Sequence, residues 1–127
     1  MCGIAGIASF NSEHLEAEKT LNKMLCAMAH RGNDGRGTFK GDGGHVLLGH
    51  LRLAIIDLSV SANQPMQSLD GRYSITFNGE IYNYKELAKE LGCPDDVGDT
   101  YVLIVAFTRW GKDCLPRLRG MFAFAIW

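Results

Sequence analysis

The sequence has little net charge and no long apolar run. Its 13 basic and 14 acidic residues give a formal net charge of -1 at pH 7. A chain so close to neutrality offers no electrostatic reason to bind nucleic acid or an anionic membrane surface. Without an apolar run of spanning length we expect no transmembrane helix. The absence of basic residues before the first apolar stretch argues against a signal peptide.

No two cysteines of the sequence form a C-x-x-C pair. The four cysteines stand at positions 2, 26, 93 and 114. This usage predicts reduced thiols in a cytoplasmic protein. Cys26 and His30 have the i,i+4 spacing of a helix and could touch a metal. Without further ligands nearby, core packing and a helix end are the favoured roles of these two residues.

The remaining composition is that of an ordinary globular protein. The 127 residues are 46% hydrophobic and 21% charged, which predicts one domain with a substantial core. Apolar runs and alternating patterns predict strands, which are expected at 2–8, 45–50, 53–57, 73–77 and, fully buried, at 121–126. The glycine-rich stretch 35–44 is predicted to be loop.

Three helices are predicted from caps and apolar spacing. The first is capped by Asn11 or Ser12 and has one buried stripe, formed by Leu21, Met24, Leu25 and Met28. The second begins at a capping box and the third at a capping aspartate, namely Asn83 with Glu86, and Asp99. Glycines end both of these helices, at Gly92 and Gly111.

The second residue is the most informative position. Initiator methionine is usually removed before a small residue, and its removal would leave Cys2 with both a thiol and a free α-amine. A terminal amine titrates near roughly 7.7–8.0, close to the pH at which a general base works best. Cys2 would then be nucleophile and base in one residue, as N-terminal threonine nucleophiles are. The alternative is a small apolar residue that opens a buried strand.

Three other features also have two interpretations each. Asn78-Gly79 is a strong hairpin-turn signal, but an Asn amide beside a Gly N–H can also form an oxyanion hole. Arg52 could make a surface ion pair or grip a carboxylate in bidentate fashion. Asp99 could cap a helix or pair with a substrate ammonium.

These features belong to a series of motifs that spans nearly the whole chain. In order they read CGIAGI at 2–7, HRGNDG at 30–35, HLRLAIIDLS at 50–59, QPM at 64–66, FNGEIYN at 77–83, GDT at 98–100 and GMFAFAI at 120–126. The series closely resembles the glutaminase domain of class II glutamine amidotransferases of the asparagine-synthetase (glutamine-hydrolysing) type. These are N-terminal-nucleophile hydrolases, so the resemblance implies an α+β chain with the αββα fold.

The resemblance also implies a role for each matching residue. Cys2 corresponds to the nucleophile that attacks the side-chain amide of L-glutamine, with its own α-amine as base. Asn78 and the Gly79 N–H correspond to the oxyanion hole. In the substrate pocket, Arg52 corresponds to the group that binds the α-carboxylate and Asp99 to the group that binds the α-ammonium, with Glu80 lining the pocket. The half-reaction that the resemblance implies needs neither a metal nor an organic cofactor.

Family glutaminase domains continue past residue 127, so we expect residues 1–127 to form the first part of such a domain, with no synthetase domain. Two interpretations follow. The chain is either a glutaminase that delivers ammonia to a separate synthetase subunit, or a truncated, inactive relative that acts as an oligomeric binding or interaction module. Because an incomplete sheet exposes strand edges, we also expect a homo-oligomer whose interface covers residues 121–127.

Overall fold

The computed structural model describes residues 2–9, 16–53 and 62–127. Six strands and three α-helices lie in these ranges, together with short 3₁₀ turns. In chain order they are β1 (Gly3–Ala8), α1 (Ala17–Ala27), β2 (Gly35–Gly41), β3 (Val46–Arg52), β4 (Met66–Gln67), β5 (Ser74–Ile81), α2 (Tyr84–Leu91), α3 (Asp99–Trp110) and β6 (Gly120–Ile126).

The described strands form two antiparallel sheets. The first sheet has the order β1-β3-β2 and the second has the order β4-β5-β6. Two side chains bridge the sheets: Thr76 Oγ1 donates to the Gly49 carbonyl at 3.2 Å, and His50 Nε2 lies 3.2 Å from the Phe77 carbonyl oxygen. The two sheets are therefore stacked face to face.

Helices cover the outer faces of this pair of sheets. Helix α1 buries Leu21 and Leu25 against the first sheet, where they join a core cluster with Ala5, Leu47 and Leu51. On the other side, a larger cluster joins β5 to α2 and α3 through buried aliphatic and aromatic residues, namely Ile75, Phe77, Ile81, Leu87, Val102, Leu103 and Ile104. The layers are helix, sheet, sheet, helix, which confirms the predicted αββα class.

The glycine-rich stretch was wrongly predicted to be loop, because it contains strand β2. Glycine has a low strand propensity, but close packing overrides it here, because other segments of the same chain leave no room for side chains. A Cβ on Gly37 would overlap the Gln64 carbonyl, and one on Gly41 would lie 2.8 Å from the Phe39 ring. Glycine is therefore required for packing at these positions.

Two predictions of burial need correction, one in the first helix and one in the last strand. Asn11 and Ser12, the expected caps, lie outside the described residues, as do residues 54–57 of the expected strand 53–57. In α1, Met24 is 37% exposed, so the predicted stripe reduces to Leu21 and Leu25, with Met28 partly buried. Strand β6 is not fully buried: it lies at the edge of the described second sheet, and Met121 is 72% exposed.

Two predicted local motifs are replaced by longer-range contacts. Asn83 precedes α2 but makes no capping bond. Instead its Nδ2 donates to the Arg117 carbonyl at 2.9 Å, and its Oδ1 accepts from the Arg119 N–H at 2.9 Å. Asp99 is the first residue of α3 and Gly98 holds the cap position.

The predicted glycine stops are confirmed, because Gly92 and Gly111 have φ of 69° and 56°.

Candidate active site

Strand alternation directs several of the candidate side chains into the space between the sheets. In β3, Leu47 and Leu51 face α1, so Arg52, one residue on, faces the second sheet. The same alternation in β1, where Ala5 faces α1, directs Cys2 toward the second sheet. In β5 the bond from Thr76 to Gly49 identifies the face toward the first sheet, and Asn78 and Glu80 lie on that face.

Cys2 is half-buried beside the end of β3. Its Sγ lies 3.4 Å from the Leu53 main-chain nitrogen and 3.8 Å from the Leu53 carbonyl oxygen. The Cys2 carbonyl accepts a 3.0 Å hydrogen bond from Arg31 Nε, and Gly32 lies so close to the Arg52 main chain that a Cβ would come within 2.6 Å. The HRG motif therefore holds the chain start against the end of β3.

Arg52 is oriented from the segment that precedes β4. Its Nη1 donates to Asn63 Oδ1 at 2.8 Å. The backbone of Arg52 is paired with Gly35 of β2, and its carbonyl accepts from the Asp34 N–H at 3.0 Å. These contacts fix both ends of the side chain, so the guanidinium lies beside the same strand end as the Cys2 thiol.

The hydrogen-bond register of β5 defines a partly unpaired row of N–H groups. Ser74 exchanges two hydrogen bonds with Trp127, and the Tyr82 N–H bonds to Arg119. Since antiparallel pairs alternate, the even-numbered residues of β5 bond to β6 and the odd-numbered ones face the other way, toward β4. Strand β4 supplies only two residues there. The N–H groups of Phe77, Gly79 and Ile81 therefore extend beyond it.

Side chains satisfy two of these three N–H groups. The Phe77 N–H donates to Gln64 Oε1 at 2.6 Å, and the Ile81 N–H donates to Asp99 Oδ2 at 3.1 Å. The Gly79 N–H lies between them on the same edge. This arrangement directs one main-chain donor into the candidate site, flanked by two anchored peptide groups.

Asn78 and Gly79 lie within β5 and not in a hairpin turn, so that alternative is wrong. Asn78 Oδ1 is buried and has no hydrogen-bond partner among the described residues, although buried polar atoms are nearly always satisfied. Gly79 has φ of 147° and packs against Met121 and Phe122 so closely that a Cβ would clash with their main chain. The described part of the fold thus leaves one buried acceptor of the Asn78 amide unsatisfied.

Asp99 carries a partly buried carboxylate at the start of α3. Burial raises the pKa of this carboxyl, and the nearby Glu80 raises it further, whereas the N–H groups of Ile81 and Thr100 lower it. The Thr100 N–H donates to Oδ1 at 2.8 Å. A cation bound beside Asp99 would relieve this electrostatic cost, because an opposite charge favours the ionised carboxylate.

His50 is a buried group of the site region that the sequence analysis did not select. Burial lowers its pKa to about 4, and the neighbouring Arg52 contributes in the same direction, against the raising effect of the Phe77 carbonyl. The ring is therefore neutral at pH 7, and because a carbonyl only accepts, Nε2 carries the proton. His50 thus donates to the Phe77 carbonyl, and Gln64 accepts from the Phe77 N–H.

Gln64, Asn63 and Arg31 are the other contributors that were missed. Gln64 lies in the QPM motif and Arg31 in the HRGNDG motif, whereas Asn63 lies in neither, and no local pattern shows what these side chains contact. No hydrogen bond among the described residues joins Cys2 directly to Asn78, Glu80 or Asp99; the links run through Leu53, Asn63 and Gln64. The predicted site residues therefore lie along one chain of contacts.

The described part of the chain contains no cluster of three or more His, Cys, Asp or Glu residues that could hold a metal ion. None of its helices is both long and apolar enough to cross a membrane.

Comparison with known proteins identifies the family of the chain. The family model of the glutamine amidotransferase domain matches residues 1–127, and the chain belongs to this family. Among solved structures, it resembles the glutamine phosphoribosylpyrophosphate amidotransferase of B. subtilis, with a TM-score of 0.79 and 23% sequence identity over 98% of this chain and 34% of that one. That likeness establishes the fold.

Curated relatives narrow the resemblance to one branch of the family. The chain is 37% identical to asparagine synthetase [glutamine-hydrolyzing] 3 of Bacillus subtilis and covers 21% of its length. It is 39% identical to a putative asparagine synthetase [glutamine-hydrolyzing] 2 of Methanocaldococcus jannaschii and covers 27% of it. In both cases the match includes at least 99% of this chain. The predicted asparagine-synthetase type is confirmed, and the interaction-module alternative is not favoured.

Proposed function

We propose that this chain carries the glutamine amidohydrolase half-reaction of an asparagine-synthetase-like amidotransferase, which converts L-glutamine and water to glutamate and ammonia. The observation that carries the proposal is the row of N–H groups on β5, in which the Gly79 N–H stands between the anchored N–H groups of Phe77 and Ile81, with the Asn78 side-chain amide on the neighbouring residue. An amide about to be attacked needs two such donors for its developing oxyanion.

The reaction begins once Met1 has been removed. The Cys2 thiol attacks the side-chain carbonyl carbon of glutamine and its proton passes to the free α-amine of Cys2. The tetrahedral oxyanion accepts hydrogen bonds from Asn78 Nδ2 and the Gly79 N–H. When the intermediate collapses, the protonated α-amine gives its proton to the leaving nitrogen, ammonia departs, and a γ-glutamyl thioester remains. Water then hydrolyses the thioester, which releases glutamate and restores the thiol.

Recognition of the amino-acid end requires one cation and one anion, because glutamine is a zwitterion. Arg52 supplies the cation for the α-carboxylate, to which a guanidinium can donate two parallel hydrogen bonds. Asp99 supplies the anion for the α-ammonium, with Glu80 adding negative potential nearby. Neither a metal nor an organic cofactor takes part in this proposal.

The wider setting is also a proposal. Residues 1–127 would be the first part of a cytoplasmic glutaminase domain, and the ammonia would pass to a synthetase site on a separate subunit. A homo-oligomer would form through β6, whose edge is uncovered among the described residues and whose Met121 is 72% exposed. Light scattering from the purified chain tests this assembly, and a well-folded monomer would contradict it.

Ammonia release from glutamine tests the chemistry, after intact-mass measurement shows whether Met1 is absent. Cys2→Ala should lower the rate by about three orders of magnitude or more, as loss of a nucleophile does in other hydrolases. The matched control is Cys26→Ala, because Cys26 is an exposed thiol on α1. Ammonia release that survives in Cys2→Ala, or is absent from the processed wild-type chain, would refute the proposal.

A further inference from the structure

The segment before β4 leaves the second sheet at residue 64. Met66 and Gln67 pair with β5, and the Ser68 N–H continues the same ladder by donating to the Tyr73 carbonyl. The next main-chain partner would be Gln64, opposite Phe77. The Gln64 carbonyl packs instead against Gly37 of the first sheet. The Gln64 side chain takes its place, since Oε1 accepts the Phe77 N–H at 2.6 Å.

The other atom of the same amide contacts α3. Gln64 Nε2 donates to Thr100 Oγ1 at 3.3 Å. Thr100 is only 9% exposed and directly follows Asp99, whose carboxylate its N–H contacts. One half-buried side chain thus joins β5, just before Asn78, to α3, just after Asp99.

We propose that Gln64 is a positioning residue that fixes the spacing between the amide-binding and ammonium-binding ends of the site. This inference rests on the proposed function. Glutamine has a fixed length between its amide and its α-ammonium, while Asn78 and Asp99 lie on separate elements. Gln64 holds the Phe77 end of β5, whereas Asp99 itself holds the Ile81 end. Removing Gln64 therefore loosens the oxyanion donors and leaves the anchor at Asp99.

This asymmetry gives a specific kinetic signature. Gln64→Met keeps the approximate size of the side chain and removes both hydrogen bonds. Because a misplacement of about 1 Å can cost about a hundredfold in rate, kcat for ammonia release should fall about 10- to 100-fold, while KM for glutamine should stay within about threefold. Gln64→Glu keeps an oxygen that accepts from the Phe77 N–H and one that accepts from the Thr100 hydroxyl, so it should restore most of kcat.

The matched control is Gln67→Met, because Gln67 lies three residues away in β4 and is exposed. Should Gln64→Met fail to fold, Thr100→Val removes only the partner of Nε2 and should lower kcat about 3- to 10-fold. Its control is Thr108→Val, which loses a bond within α3 to the Ile104 carbonyl. In either pair, equal kcat for the test variant and its control would overturn the positioning role.

Failure of the proposed function gives a different result. If the processed wild-type chain releases no more ammonia than Cys2→Ala, the glutaminase proposal fails, and the role of Gln64 in it fails too. If the wild-type chain is active and Gln64→Met raises KM while leaving kcat unchanged, only the inference about Gln64 is overturned. Rescue by Gln64→Glu together with loss in Gln64→Met supports it.

Discussion

Asp99→Asn separates the contribution of one carboxylate to binding from its contribution to folding. The substitution keeps the size of the side chain and one acceptor oxygen for the N–H groups of Ile81 or Thr100. It removes the negative charge that would face the α-ammonium of glutamine. Truncating one partner of a buried charge pair costs roughly 2–5 kcal/mol, so we expect glutamine affinity to fall about 30-fold to several thousandfold.

The assay measures glutamine-dependent stabilisation in a Cys2→Ala background, where no turnover occurs. At a concentration of about 100 times Kd, bound glutamine should raise the free energy of unfolding by about 2.7 kcal/mol. A 30-fold weaker Kd at the same concentration leaves less than about 1 kcal/mol. Asp96→Asn is the control, because Asp96 is exposed in the loop before α3. Equal stabilisation of the Asp96→Asn and Asp99→Asn proteins would refute the role of Asp99.

The same variant should change how stability depends on pH without glutamine. Burial raises the folded-state pKa of Asp99 above its unfolded value, so over that interval the folded state binds more protons. The free energy of unfolding therefore falls as pH rises through the titration of Asp99. Asp99→Asn lacks this contribution, and its stability relative to wild type should increase from acidic to neutral pH. Denaturant titrations at a series of pH values measure the difference.

Two further predictions concern stability. The folded-state pKa of His50 is about 4, whereas the ordinary value is 6.5. The free energy of unfolding should therefore decline by roughly 3 kcal/mol as pH falls from above 6.5 to 4. His50→Gln should show a smaller decline in urea titrations, and an identical decline would refute this assignment. Asn83→Ala should lower the free energy of unfolding by about 1–2 kcal/mol, because its hydrogen bonds to Arg117 and Arg119 are lost. Glu86→Gln should have little effect. A larger loss in Glu86→Gln than in Asn83→Ala, measured by thermal unfolding, would restore the capping-box interpretation.

The elements that the sequence predicted correctly have patterns set by their own residues. The alternation that begins at Tyr73 identified β5, and Gly92 and Gly111 identified two helix ends because a left-handed or otherwise positive φ is a local requirement. Family motifs likewise indicated Cys2 and Asp99 as candidate site residues, and their roles stay predictions. In each case the information lies within a few residues of the feature.

The wrong predictions concern features that depend on contacts with residues far away in the sequence. Asn78-Gly79 is a turn signal in isolation, yet the pairing of β5 with β6, more than 40 residues later, extends a strand through it. The glycines of β2 signalled a loop, but they are required by chain segments that pack against them. Gln64 was visible only as part of a motif, since its partners lie 13 and 36 residues away.

Because β4 pairs with β5 only through Met66 and Gln67, the candidate pocket is an unfilled position beside β5 in the second sheet and not a separate cavity. A carbonyl bound by the Gly79 N–H would occupy the rung that a longer β4 would have filled. A variant whose residue 62 continued in register beside β5 would place its own peptide oxygen there and exclude any ligand. Self-inhibition by strand extension is therefore a hazard built into this architecture, and the departure of the main chain at Gln64, whose carbonyl packs against Gly37, prevents it.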